Sequence, residues 1–184
     1  WRDYTSVEPH HGVGFTMLND RTGPLNRFAA YGTYAYHMGI SPTTSLSGGI
    51  SVGITNMSLD ASKLNFGGTN VDPAVAGSGV INRIKPDISA GLWLYSKDYF
   101  LGLAAQQIIP QQLAFSDNTV YVQNGKLLPH IFLSAGYRMQ MTDDISFLPS
   151  ALIRYISPLP IGFDVNAKFQ YQDLIWAGAS YRYQ

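Results

Sequence analysis

Apolar and polar residues alternate along the segment Gly162–Gln172. Since successive side chains of a β-strand point to opposite faces, this spacing predicts a strand with one apolar face and one polar face. The apolar face of this segment carries Phe163, Val165, Ala167, Phe169 and Tyr171, and its polar face includes Asp164, Asn166 and Lys168. A barrel in lipid places the first kind of face outside and the second kind inside.

The alternation recurs, in strong or weaker form, often enough to predict about nine strands. Many of these segments are close to the roughly ten residues that a membrane-spanning strand requires. The predicted strands are His11–Leu18, Arg27–Met38, Leu46–Asn56, Asp87–Tyr95, Tyr99–Gln107, His130–Gln140, Ile145–Ile156, Gly162–Gln172 and Leu174–Tyr183. The pattern therefore predicts an all-β protein, an antiparallel up-and-down transmembrane β-barrel.

The composition supports a protein that faces lipid. Charged residues make up 13% of the 184 residues, about half of the usual value for soluble domains. A soluble chain with so few charges would cover its surface poorly, whereas a barrel in lipid needs no such cover. The net charge is zero, which argues against nucleic acid as a partner, and cysteine is absent. The length predicts a single barrel domain over residues 1–184.

No apolar run approaches eighteen residues, so no transmembrane helix is predicted. The chain starts at Trp1 without methionine and ends directly after an alternating strand. We therefore expect a piece of a larger barrel that lacks strands at both ends.

Short polar turns separate most of the predicted strands, as in a meander. Two connections are much longer, Leu59–Lys85 and Ile108–Leu127. Transmembrane barrels carry short turns on one rim and long loops on the other, and long loops often bind partners. The second connection also places several apolar residues where a monomer gains little by exposing them. These candidate partner-binding residues are Ile108, Ile109, Leu113, Phe115 and Tyr121. The alternative for them is that they fold back and cap the barrel, since long loops are often packed by their own side chains.

Several segments, in order, resemble the PorP/SprF family of the type IX secretion system of Bacteroidota. The segment that contains Asn19, Asp20, Arg21, Gly23 and Pro24 resembles the family's "NDRxGP" segment. Further resemblances follow along essentially the whole chain, namely Asp60–Leu64, Lys85–Gly91, Tyr99–Gly102, Leu148–Leu152 and Trp176–Arg182.

This resemblance implies a bacterial outer-membrane barrel without enzymatic activity. It implies lipid as one partner, and either type IX secretion components or a secreted adhesin as another. Family members support protein export, or hold exported adhesins at the cell surface, including adhesins used in gliding.

Two interpretations are open for the charged residues of the predicted interior. The Asn19–Pro24 segment fits an inward loop with paired charges, and its Asn, Asp, Gly and Pro residues fit a turn equally well. The luminal residues Arg138, Arg154, Asp164, Lys168 and Arg182 either line a conduit or pair with one another. Their mixed signs favour pairing.

No cofactor and no metal site are expected. The cluster Glu8–His11 has too few ligands for a zinc site, because Glu8 and His10 share a strand face and His11 does not. The sequence has no phosphate-binding loop, no Gly-x-Ser-x-Gly elbow and no His-Glu-x-x-His motif. The remaining alternative is an outer-membrane or soluble β-barrel that binds an apolar ligand; a soluble barrel would turn its apolar face inward.

Aromatic residues near the predicted strand ends are expected to form girdles at the membrane boundary. These residues are Tyr95, Tyr99, Tyr137, Tyr155, Tyr171 and Trp176. Trp93 and Trp176 fall on the polar side of their strands, so we expect them to be exceptions that pack inside.

Overall fold

Nine strands in sequence order form one continuous antiparallel meander. The computed structural model describes residues 5–60, 63, 80–112, 126–172 and 174–183. The strands along the path are β1 (His10–Thr22), β2 (Leu25–Ser41), β3 (Thr44–Asp60), β4 (Val80–Ser96), β5 (Tyr99–Gln106), β8 (His130–Tyr137), β10 (Ile145–Ile156), β11 (Gly162–Tyr171) and β12 (Ile175–Tyr183). The predicted all-β, up-and-down architecture is confirmed.

Three very short strands complete the described part of the chain. Strand β9 (Met139–Gln140) pairs with β10, so the main sheet has ten strands. Strands β6 (Gln111–Gln112) and β7 (Lys126–Leu127) pair with each other inside the second long connection. Along the described strands the sheet is open, with β1 and β12 at its two edges. Among the described residues, no helix has the length and hydropathy needed to cross a membrane.

The two faces of the sheet differ in polarity and in burial. Small and polar side chains are buried on one face, with Ser45, Thr55, Asp87, Ser146 and Asp164 all less than 9% exposed. Large apolar side chains on the opposite face are exposed, in positions spread from β1 to β12: Val13, Phe15, Ile50, Val52, Leu92, Leu103, Leu133, Ile153, Val165, Phe169 and Tyr181. We call the buried face the inner face and the opposite face the outer face. Burial of polar groups in a one-layered sheet indicates that the sheet curves around the inner face.

The apolar band of the outer face shifts along the strands from one side of the sheet to the other. Leu46 lies at the end of the band on β3 that is close to the β2–β3 turn. It shares one hydrogen-bonded row with Val165, which lies at the opposite end of the band on β11, close to the β10–β11 turn. The row runs through Leu94, Leu101, Ala135 and Ala151. A band that runs level around a barrel crosses tilted strands at successively shifted positions, so this shift is what a barrel wall requires.

The first four strands are longer than the sequence predicts. Strand β3 continues to Asp60 and β4 begins at Val80, so the connection between them comprises only residues 61–79. The predicted bounds of this connection, Leu59 and Lys85, are therefore both wrong. On β3 the cause is a reversal of the pattern near this end. Met57 and Leu59 lie on the inner face there, whereas Asn56 and Ser58 lie on the outer face. A prediction that keeps the apolar residues on one face therefore ends the strand too early.

Candidate functional site

The chain direction brings the long connections to one end of the sheet. Strands β1, β3, β5, β10 and β12 run towards that end, and the strands between them run away from it. The β1–β2 turn, the β10–β11 turn and the strand ends that the two long connections join therefore lie at the same end, which we call the loop rim. The first connection comprises residues 61–79 and the second comprises residues 107–129. The other end carries the short turns at residues 42–43, 97–98, 141–144 and 172–174.

The residues that carry the family resemblance near the start of the chain form a hairpin at the loop rim. Asn19, Asp20 and Arg21 are in the last part of β1, and Gly23 and Pro24 form the turn. Gly23 has a φ of 59°, a left-handed conformation that glycine adopts without strain. Asp20 lies on the inner face, whereas Asn19 and Arg21 lie on the outer face. Only Gly23 and Pro24 thus form a turn, and Asn19 to Thr22 belong to the strand.

On β1 to β4 the outer face carries one polar row close to the loop rim. One hydrogen-bonded row across β1 to β4 consists entirely of polar residues, Arg21, Asn26, Ser58 and Asn82. On the inner face of the same region, Leu59 is 8% exposed and Ala29 is fully buried. The polar outer row suits contact with water, and the inner face beneath it is mixed, with Asp20, Arg27 and Arg83 beside the apolar residues.

The turn and the strand ends at the rim are tied together by the backbone. The amide of Asp60 donates a hydrogen bond of 2.8 Å to the carbonyl oxygen of Pro24. The side chain of Asp60 lies 3.4 Å from Nζ of Lys63. The entrance to the first long connection is therefore held against the β1–β2 turn.

Only part of the candidate partner loop lies within the described residues. Ile108 is 39% exposed, and its amide donates to the carbonyl oxygen of Ile88 at 3.0 Å, so the start of this connection is anchored to β4. Ile109 follows it at the loop rim. Leu113, Phe115 and Tyr121 lie outside the described residues.

Three of the candidate luminal residues meet in one cluster on the inner face. Asp164 is 6% exposed and lies 3.1 Å from Nη2 of Arg154 and 3.1 Å from Nε of Arg182. The register places the two arginines on the strands on either side of β11. Gly162 faces Arg154 across the β10–β11 pair, and its missing side chain leaves room for the guanidinium.

The other two candidate luminal residues lie on the same face with different contacts. Nζ of Lys168 is 5.1 Å from the ring centroid of Trp176, a cation–π distance. Nε and Nη2 of Arg138 each donate to the hydroxyl of Ser146 at 3.2 Å. The five residues are thus on one face, and Asp164 is the carboxylate among them.

A buried polar network on β2 to β4 was not singled out by sequence reasoning. The Tyr31 hydroxyl donates to Asp87 at 2.8 Å and lies 3.0 Å from the Thr55 hydroxyl. The Tyr31 ring crosses Gly53, where an added Cβ would lie 2.6 Å from Cδ1 of the ring. The alternating pattern places Gly53 and Asp87 on the polar side of their strands, but it does not show that they share a row with Tyr31.

The histidines near the start of β1 make local contacts. Nδ1 of His10 is 2.8 Å from the carbonyl oxygen of Glu8, and its ring stacks on His37 at 4.6 Å. His11 lies on the outer face beside Tyr34, whose hydroxyl is 2.7 Å from Nδ1. Within the described residues, no three His, Cys, Asp or Glu side chains converge as metal ligands would.

An up-and-down sheet with an apolar outer face and a polar inner face has the architecture of the wall of a transmembrane β-barrel. Comparison with known families is consistent with this class: the family model described as "Type IX secretion system membrane protein PorP/SprF" matches residues 2–184 of the sequence. The chain belongs to the PorP/SprF family and is a membrane component of the type IX secretion system. Neither the curated proteins nor the solved structures include a significant match to it.

Proposed function

We propose that this protein is an outer-membrane barrel that supports the export of secreted proteins, or their attachment at the cell surface, without catalysing a reaction. The family match over residues 2–184 is the observation that carries this proposal. The outer face supports it, because an apolar surface that extends from β1 to β12 has lipid as its natural neighbour. Secreted adhesins, including those used in gliding, are the proposed cargo.

We propose that partners dock at the loop rim. The outer face of the sheet is occupied by lipid, whereas the rim combines two long connections with a polar row on the outer face of β1 to β4. The apolar residues at positions 108, 109, 113, 115 and 121 add contact surface of the kind that partners bury.

The experiment is co-purification of the native protein in a mild, uncharged detergent. A protein that attaches cargo should bring down a large secreted adhesin, and a protein of the export machine should bring down periplasmic ring components. A strain that lacks the protein should also lose surface display of the cargo, measured by protease digestion of intact cells. Normal secretion and display in that strain would contradict the proposed role.

A barrel that binds an apolar ligand inside is not favoured by the described residues. Such a barrel needs apolar side chains on its inner face, whereas the inner face here carries Ser45, Ser47, Thr55, Asp87 and Asp164 in buried positions.

A further inference from the structure

Positive charge predominates on the inner face. The whole chain is balanced, with 12 Lys and Arg and 12 Asp and Glu residues. Among the described residues, the basic side chains on this face are Arg27, Arg83, Lys85, Arg138, Arg154, Lys168 and Arg182, and the acidic ones are Asp20, Asp87 and Asp164. Acidic residues such as Asp98, Asp143 and Asp144 lie instead in the turns of the opposite rim.

The excess of positive charge on the inner face is most marked around Asp164, whose carboxylate contacts two guanidinium groups. One carboxylate neutralises one of these two charges, so the cluster keeps a positive charge. The Arg182 side chain is 64% exposed, and Nε of Arg154 is buried without a hydrogen-bond partner. Arg154 also borders a cavity of about 210 Å³ that Ile156, Leu159, Pro160 and Gly162 help to line. A second anion can reach the exposed guanidinium group of Arg182, which carries the charge that Asp164 leaves unbalanced.

A second positive group lies further along the same strand. Lys168 follows Asp164 by four residues on β11, a distance of about 13 Å at the usual rise per residue. Asn166 lies between them on the same face, with Ser150 and Ser180 opposite it on the neighbouring strands. The inner face of β10 to β12 therefore presents two cationic positions separated by amide and hydroxyl groups.

We propose that this inner surface binds an acidic polypeptide segment in an extended conformation. One carboxylate of the segment binds at Arg154 and Arg182, and a second one binds at Lys168. An extended chain repeats its side chains on one side every two residues, so carboxylates four residues apart match the spacing of about 13 Å. Asn166 and the two serines then face backbone amide groups of the segment, which a compact anion does not have. The proposal names a partner for the inner face and is independent of docking at the loop rim.

The test measures binding of a labelled peptide to the full-length protein in an uncharged detergent by fluorescence anisotropy. The probe is a decapeptide of alternating Glu and Ser, and the matched probe has Gln in place of Glu. We expect the acidic peptide to bind at least about tenfold more tightly than the neutral one, and its affinity to fall as salt is added, because the contacts are ionic.

Substitutions on the inner face provide the decisive comparison. Arg182→Gln and Lys168→Gln should each weaken binding of the acidic peptide by about fivefold or more. Lys97→Gln removes the same charge from a turn at the opposite rim and should have no effect. Asp164→Asn should strengthen binding several-fold, since it frees both guanidinium groups. The β-sheet circular dichroism signal of every variant is measured to show that the barrel is folded.

Three results would overturn the proposal. The first is equal binding of the acidic and neutral peptides. The second is unchanged or weaker binding of the acidic peptide to folded Asp164→Asn. The third is displacement of the acidic peptide by inorganic phosphate when phosphate and peptide carry the same total negative charge. The last result would assign the surface to compact anions instead of a polypeptide.

Discussion

The indole ring of Trp93 lies across Gly102 on the neighbouring strand. A Cβ at Gly102 would lie 2.5 Å from Cζ3 of the indole ring and 2.6 Å from Oγ of Ser134. The indole also stacks on Phe100 with ring centroids 5.0 Å apart, and the Phe100 ring in turn lies over Gly136. The inner wall is thus held by large rings that cross glycines on adjacent strands.

This packing predicts that Gly102→Ala destabilises the barrel by about 1–3 kcal/mol, the range for overpacking a filled site. Gly14→Ala is the matched control, because a Cβ there meets only Cβ of Thr33 at 3.8 Å. Urea unfolding in lipid vesicles measures both. Equal stability of the two variants would show that Trp93 moves aside freely.

The buried network around Asp87 predicts a second pair of results. Tyr31→Phe removes the hydroxyl that donates to Asp87, which is 5% exposed, and should lower the free energy of unfolding by about 1–3 kcal/mol. Tyr36→Phe removes the same atom from the outer face and should change the stability by less than about 0.5 kcal/mol. A Tyr31→Phe variant as stable as Tyr36→Phe would rule out a stabilising role for this hydrogen bond.

The proposed docking role of the loop rim predicts a separation of folding from function. Replacement of residues 113–125 by a short Gly-Ser turn keeps β6 and β7 and should leave the barrel folded in the membrane. Surface display of the cargo, or co-purification of secretion components, should be lost. A Gly-Ser replacement of Lys97–Asp98 at the opposite rim is the control and should retain both. Normal display after the first replacement would show that this connection is not the docking site.

The orientation of β11 predicts opposite tolerance of neighbouring positions. Val165 lies on the outer face and is 49% exposed, and Asn166 lies on the inner face between Ser150 and Ser180. Val165→Arg places a charge against hydrocarbon and should destabilise the protein by about 2–4 kcal/mol, whereas Asn166→Arg should be tolerated. Similar unfolding free energies for the two variants would mean that the faces are assigned wrongly.

The sequence predicts the strands best where the polarity of each face stays constant. On β11 and β12 the alternation continues to the strand ends, and the observed bounds agree with the predicted ones to within one residue. On β3 the faces exchange polarity beyond Thr55, so this strand is longer than predicted. The register adds information that a local pattern lacks: only the pairing of strands shows that Trp93 faces Gly102.

The candidate site was predictable only in part, because the alternation assigns residues to a face but does not show which of them meet. Period-two alternation places Arg154, Asp164, Lys168 and Arg182 on polar faces, and the pairing of the strands brings both arginines to one carboxylate. The mixed signs in the sequence suggested mutual pairing, but the charges on this face are not balanced. The residues proposed for docking in the second long connection lie outside the alternating segments of the sequence.

Site-directed spin labelling of β11 is the most direct test that the outer face contacts lipid. The chain has no cysteine, so single cysteines at positions 163 to 170 can be labelled one at a time in the reconstituted protein. Lipid contact predicts maximal accessibility to oxygen at positions 163, 165, 167 and 169, with low accessibility to a water-soluble nickel reagent. The even-numbered positions should show the reverse. An absence of alternation, or alternation in the opposite phase, would contradict a membrane barrel with this outer face.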